Sequence, residues 1–339
     1  MHSSRDLEEV LKNKKCFKLV CGAGNENLEE VEKLVYLYSK AGCNIFDVSA
    51  NVEVIKSAKK GLERAGIKED RFISVSVGIK GDPHVNKAFI DNKICKKCGT
   101  CEKYCLQNAI KDGMVDEKKC IGCSKCLPYC PINAISIKNF STDLNKIIPK
   151  IIEEGVDCIE FHAITDDEKE VEEKWQILNN NFDGILSICI DRAKLSNEKV
   201  FKRLQKMLSK RKVYTTIIQT DGSPMSGGVD DFRTTLQAVA TAELILKQNF
   251  PVYILLSGGT NSKTKKLADL CELDINGVAI GSYARKIVKD YLCDKMSEAE
   301  ALKIAENLVK SVYWYVKGIN RFKKIRCLRN KIRIRKRIS

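Results

Sequence analysis

No apolar run in this chain approaches the ~20 residues that a membrane-spanning helix needs. The N-terminal stretch MHSSRDLEEVLKNKK has no apolar core of the kind a secretory leader carries. No GxGxxG turn follows the first apolar segment, and CGAGN at 21–25 resembles one only superficially. That absence counts against the open doubly wound sheet, the rival α/β architecture. No base-reading motif of a nucleic-acid-binding module is present either. What remains is a cytoplasmic protein of one large domain or two ordinary ones.

Cysteine, by contrast, is abundant: 16 in 339 residues. Eight fall in two runs, Cys95-x2-Cys98-x2-Cys101-x3-Cys105 and Cys120-x2-Cys123-x2-Cys126-x3-Cys130-Pro131. Each has the bacterial ferredoxin spacing for a 4Fe–4S cluster. The two-residue gaps let three sulfurs of one loop face inward, and the fourth ligand comes from the other run. Cys95, Cys98, Cys101 and Cys130 are therefore assigned to one cluster, and Cys120, Cys123, Cys126 and Cys105 to the other. The runs are also a repeat. Each cysteine recurs 25 residues later, as does Asn108-Ala109-Ile110 in Asn133-Ala134-Ile135. Leu106 stands where the second copy has Pro131, a local departure, since proline is not a ligand. Zinc favours separated CxxC pairs or Cys/His mixtures, which this pattern fits poorly. The other eight cysteines (Cys16, Cys21, Cys43, Cys158, Cys189, Cys271, Cys293, Cys327) lie mostly in apolar runs and read as buried small hydrophobes.

Outside this segment, short apolar strands alternate with amphipathic helices. Strands are expected at 17–21, 44–49, 72–78, 157–162, 183–190, 213–219, 251–257 and 275–280. Helices are expected at 28–41, 51–65, 141–154, 196–210, 232–248 and 262–271, among others. Near-continuous apolar strands indicate a parallel sheet covered on both faces. Eight of them with intervening helices predict a TIM-like (β/α)8 barrel with an inserted 2 × 4Fe–4S ferredoxin-like domain. Residues 1–80 form the first part of the barrel, 81–139 the insertion, 140–296 the remainder, and 297–339 a C-terminal helix and basic tail. Without the insertion and the tail, the length approaches the roughly 250 residues of a typical barrel. The insertion follows the third strand, so the clusters should sit over the face where such barrels build active sites.

After the seventh strand comes Ser257-Gly258-Gly259-Thr260-Asn261, and after the eighth Gly281-Ser282-Tyr283-Ala284-Arg285. Barrel loops at these places commonly bind phosphate. Gly258, Gly259, Thr260, Gly281, Ser282 and Arg285 are thus candidates for a phosphate-bearing ligand, against the plain alternative of two tight turns. FMN fed by the clusters is chemically sensible. Against it, the strand ends are acidic or neutral (Asp47, Glu160, His162, Asp191, Gln219, Asp221), while Lys18 and Lys212 lie near strand starts on the wrong face. Glu160 with His162, and Gln219 with Asp221, share strand faces. Helix capping is the simpler account of any one of these acids. The loop 221–228, DGSPMSGG, reads as a binding loop or lid.

Several segments resemble the light-dependent period (LdpA) family of cyanobacteria. They are KLVCGAGNENLEEVEKLVYLYSKAGCNIFDVSAN (18–51), GDPHVNKAFID (81–91), QTDGSPMSGG (219–228), SGGTN (257–261) and GSYARK (281–286). The likeness runs over roughly residues 15–290. It implies clusters at the eight cysteines and a redox sensor, linked to photosynthetic electron flow and quinones, that informs a circadian clock. The partners it implies are redox proteins or quinone-type small molecules. The C-terminus departs from the family. Residues 317–339 hold eleven Lys/Arg and no Asp or Glu, and so carry most of the formal charge of +15. Such a tail suits nucleic acid, an acidic protein or an anionic membrane surface, or is simply solvated.

Three functions are compatible with the sequence: a non-catalytic redox sensor or electron carrier, a barrel oxidoreductase working through a flavin or a phosphate-bearing substrate, and a nucleic-acid-associated regulator. The first is preferred and the second is its alternative.

Overall fold

The computed structural model describes residues 4–22, 24–67, 69–78, 86–105, 107–139, 143–190, 192, 195–222 and 229–313. Eight parallel strands close into a barrel: Cys16–Val20, Ile45–Ser49, Phe72–Val77, Cys158–His162, Ile185–Ile190, Thr216–Asp221, Tyr253–Ser257 and Gly277–Ile280. Each pairs with its sequence neighbour in the barrel, and the first pairs with the last. Helices Leu28–Lys40, Val52–Ala65, Leu144–Glu153, Glu168–Asn181, Asn197–Leu208, Phe232–Leu246 and Thr264–Leu270 cross over between strands.

The strands obey one rule. Phe17, Leu19, Phe46, Val48, Ile73, Val75, Ile159 and Phe161 point outward into the main core with the helices. The alternate positions point inward and change character along the strand. At the strand starts they are apolar: Cys16, Ile45, Phe72, Cys158, Ile185 and Ile217. One step further they are Lys18, Asp47, Ser74, Glu160, Ser187 and Gln219, all buried. The strands that read as continuously apolar therefore carry a period of two, with a polar inner face towards the C-terminal end. The floor is closed by helix Ser4–Lys12, whose Leu7, Val10 and Leu11 pack on the strand-start residues. This helix was not anticipated from sequence.

Between the third and fourth strands, the cysteine-bearing segment forms two small antiparallel sheets. One pairs Asn86–Ile90 with Ile135–Asn139, the other Ile110–Lys111 with Met114–Val115. Lys87 ties this unit to the barrel: its ammonium donates to the carbonyls of Gly24 (2.6 Å), Glu117 (2.7 Å) and Cys120 (2.7 Å). The Glu26 N–H adds a bond to Lys118 O at 2.8 Å. The C-terminal helix Glu298–Tyr313 is pinned by Tyr313, whose hydroxyl bonds Gly42 O and Asn44 Oδ1. Among the described residues no helix is long and apolar enough to cross a membrane. Asp191, Ser223–Gly228, Leu106, Cys327 and the basic tail 317–339 lie outside the described residues.

Candidate functional site

The 25-residue repeat is written in the backbone. Left-handed φ angles occur at Lys97 and Gly122 (49° and 65°), at Gly99 and Ser124 (71° and 59°), and at Asn108 and Asn133 (49° and 53°). Each pair occupies equivalent positions of the two runs. Left-handed residues flanking the second cysteine of a run turn the chain back on itself, which is how one loop aims several sulfurs at one point. The hydrogen bonds repeat as well. Asp91 and Asp116 accept from Lys93 N and Lys118 N through their carboxylates, and from Cys95 N and Cys120 N through their carbonyls, at 2.9–3.0 Å. Tyr104 and Tyr129, also equivalent, stack with ring centroids 3.4 Å apart.

The runs interlock. Cys95, Cys98, Cys101 and Cys130 line one small cavity. Burial, then the neighbouring thiols of Cys123, Cys120 and Cys105, push the Cys126 thiol up to about 11. Four thiols crowded together disfavour one another's ionised forms, and positive metal between them removes that conflict. Backbone N–H groups already point at sulfur: Ala109 at Cys105 (3.2 Å), Ala134 at Cys130 (3.1 Å), Ala88 at Cys120 (3.3 Å) and Lys97 at Cys95 (3.4 Å). The Thr100 hydroxyl, then its N–H, draw the Cys98 thiol below its usual value. Sulfurs hydrogen-bonded and gathered four by four fit an iron–sulfur cluster, and every described cysteine is free of disulfide bonds.

Over the open end of the barrel, the loop Ile121–Ser124 forms one wall of a cavity of about 290 Å³. Its floor is a buried ionic network. Lys18, expected near a strand start on the wrong face, is instead in mid-strand and points inward. It is 2 % exposed, bonded to Glu160 and to Gln219 Oε1 (3.1 Å), and 3.6 Å from Asp47. Glu160 also accepts from Gln219 Nε2 (3.1 Å), Ser187 (3.2 Å) and Ser76 (3.3 Å), and meets His162 Nε2 at 3.2 Å. The Ser76 hydroxyl donates to Asp47 Oδ2 at 2.7 Å.

These contacts set the charges. Burial alone raises the Glu160 carboxyl, but the Lys18 ammonium and the His162 bond outweigh it and hold Glu160 below the usual carboxylate range. Burial lowers Lys18, yet Asp47 and Glu160 outweigh that and keep it protonated. Asp47 is pushed up to about 6 by burial, against the pull of Lys18. A lysine so firmly protonated is a counter-ion and not a nucleophile. Capping does not explain these carboxylates: among the described residues the side-chain caps are Asn27, Asn51, Asp143, Asp167, Ser196 and Asp231. Cys189 joins the network, accepting from Gln219 Nε2 at 3.0 Å, whereas Cys271 and Cys293 are exposed and not buried hydrophobes. Donor atoms of Glu160, His162 and Cys189 lie within 4.8 Å of one another, but Lys18 already neutralises Glu160, so this trio needs no metal.

Gly258, Gly259, Thr260, Gly281, Ser282 and Arg285 all line the cavity. The structure gives some of the glycines a packing reason. A Cβ on Gly258 would lie 2.5 Å from Gly222 N, and one on Gly281 3.2 Å from Val20 Cβ. Arg285 differs. It is 7 % exposed, its Nη1 donates to Cys21 O at 3.0 Å, and its Nε has no hydrogen-bond partner among the described residues.

Comparison with known proteins adds three findings. The model of the light dependent period A C-terminal domain matches residues 150–318, and that of the LdpA Fe-S cluster-binding domain matches 92–141. The protein light dependent period A of Synechococcus elongatus is 31 % identical over 296 residues, 84 % of each chain. Among solved structures, tryptophan synthase of M. tuberculosis aligns at TM-score 0.45 and 10 % identity, over 91 % of this chain and 99 % of that one. (S)-3-O-geranylgeranylglyceryl phosphate synthase of Thermoplasma acidophilum aligns at 0.45 and 9 %, over 92 % and 98 %. At that level of similarity nothing about chemistry passes from these enzymes to this chain.

Proposed function

We propose, from the premise that this chain belongs to the light-dependent period A family, that it holds two 4Fe–4S clusters and works as a redox sensor or electron carrier. One observation supports the reading: Cys95, Cys98 and Cys101 line one small cavity with Cys130 of the other run, and Cys126 has Cys120, Cys123 and, from the first run, Cys105 as charged neighbours. The clusters would supply one-electron exchange. The chain's own part is to position the sulfurs through left-handed turns and to donate N–H bonds to them. Cys98 and Cys123 are exposed, so each site has an edge where electrons can pass to or from a partner protein or a quinone-type molecule. The stacked Tyr104 and Tyr129, both exposed, lie beside the two crossing cysteines Cys105 and Cys130.

A second reading, a barrel oxidoreductase, is favoured by the cavity in which the Cys123 loop faces His162 and Glu160. One experiment separates the two. Anaerobically purified protein is assayed for iron and sulfide, then denatured in acid, and the supernatant is examined for flavin fluorescence. The sensor reading expects about eight irons per chain and a colourless supernatant. Flavin at near-equal ratio to protein would move the assignment to the oxidoreductase. Zinc in place of iron would refute both.

A further inference from the structure

The barrel cavity does not end at its mouth. An adjoining cleft of about 590 Å³ shares Ile121, Cys123, Ser282 and Arg285 with it as walls. Lys119, Lys125, Lys286 and Lys289 flank this cleft, against Glu29 and Glu30, so the approach is net cationic and favours anions. At the junction stands Arg285. Nη1 is anchored on Cys21 O, and Gly22, with φ of 113°, leaves room for it, since a Cβ there would lie 3.0 Å from Nη1. The guanidinium is thereby pre-positioned, while its buried Nε–H has no partner among the described residues. A buried donor without a partner is costly. Guanidinium donors suit the geometry of phosphate oxygens.

We propose that the cleft binds a phosphate group, free or as a small phosphomonoester, against Arg285, and that its occupancy is linked to the redox state of the adjacent cysteine site. The linkage half rests on the cluster reading above. Ile121 and Cys123 line the same cleft as Arg285, so an anion seated there lies beside an electron added at the Cys120–Cys126 site. Like charges at such close quarters repel. Reduction therefore weakens anion binding, and by reciprocity the anion lowers the reduction potential. A tenfold change in affinity on one-electron reduction is a shift of about 59 mV.

The test uses the full anaerobic chain with its iron and sulfide quantified first. Isothermal titration with inorganic phosphate and with glycerol phosphate is run on oxidised and electrochemically reduced protein. Two variants accompany it. Arg285→Gln removes the charge. Ser282→Asp places a carboxylate on the wall that Ser282 shares with Arg285, in the first turn of helix Ser282–Ile287, where an acidic residue is tolerated. The expected result is binding to the oxidised chain, about tenfold weaker on reduction, and lost in both variants. Tighter binding of glycerol phosphate would mean that the cleft also holds a head group, and equal binding that phosphate itself is the ligand; either agrees with the proposal. No binding by cluster-loaded protein, or undiminished binding by Ser282→Asp, overturns it, and that variant decides the matter if Arg285→Gln fails to fold. Equal affinity in both redox states overturns the linkage. Phosphate binding by a chain without clusters would instead fault the cluster reading and remove the linkage with it.

Discussion

Replacing Lys18 by Met should cost more than any ordinary core substitution of similar size. The ammonium is enclosed by Asp47, Glu160 and Gln219, and each of these is at most 2 % exposed. Met fills the volume of the stem but leaves two carboxylates buried without their cation. Breaking a buried ion pair from one side typically costs 3–5 kcal/mol. For a domain of this size, that lowers the melting midpoint by on the order of 10 °C. The assay is urea and thermal unfolding followed by the fluorescence of Trp175, whose indole N–H is bonded to Met207 O inside the barrel wall. The pH dependence gives a second signature. Without Lys18, burial raises the folded-state pKa of Glu160 above its unfolded value. The variant then binds a proton on folding, and its stability falls as pH rises through that range. In the parent chain Glu160 is held low and contributes stability above its unfolded pKa of about 4.5. The gap between the two proteins should thus widen from acid to neutral pH. Adding Glu160→Gln to Lys18→Met should recover part of the loss, a coupling of the kind seen between contacting groups. A near-neutral Lys18→Met, or a double variant that costs the full sum, would refute the ionic network as described.

Three further outcomes are expected. Asp47→Asn should gain on the parent chain by about 3 kcal/mol as pH rises from 4 through 6, because the parent ionises a carboxyl whose pKa burial has raised from 3.8 to about 6; equal pH profiles would contradict this. Leu11→Ala, fully buried under the barrel floor, should cost about 2–5 kcal/mol, and a loss below 1 kcal/mol would mean that helix Ser4–Lys12 does not seal the floor. Gly258→Ala should destabilise by at least ~1 kcal/mol, since φ is 64° and its Cβ would meet the Gly222 backbone at 2.5 Å, and an unchanged melting curve would refute that close approach.

The eight strands and most helices were legible because short apolar runs and amphipathic stretches mark them directly. So was the position of the cysteine unit, since an insertion after the third strand must emerge at the barrel mouth, where Ile121–Ser124 lie. Lys18 was misplaced for a definite reason. In CFKLV a single lysine among apolar residues looks like a strand edge, and only comparison with IFDVS and CIEFH reveals that Lys18, Asp47 and Glu160 occupy the same inward, buried position of their strands. The sixth strand was read over 213–219 with Asp221 sharing the Gln219 face at its end, and both belong to Thr216–Asp221. The floor helix was overlooked because Leu7, Val10 and Leu11 are its only inward apolar side chains among charged neighbours, although their spacing was a usable signal. The burial of Arg285 Nε without a partner among the described residues was beyond sequence altogether, because it depends on where Cys21 O and Gly22 happen to fall.

The most direct test of the interlocked cluster sites is Mössbauer spectroscopy of the iron-57-loaded, anaerobic chain beside its Cys130→Ser variant. The account predicts two 4Fe–4S centres in the parent, with the variant disturbing the centre on Cys95, Cys98 and Cys101 while the one on Cys120, Cys123 and Cys126 keeps its spectrum. Disturbance of the second centre in place of the first, or a parent spectrum without 4Fe–4S iron, would contradict it.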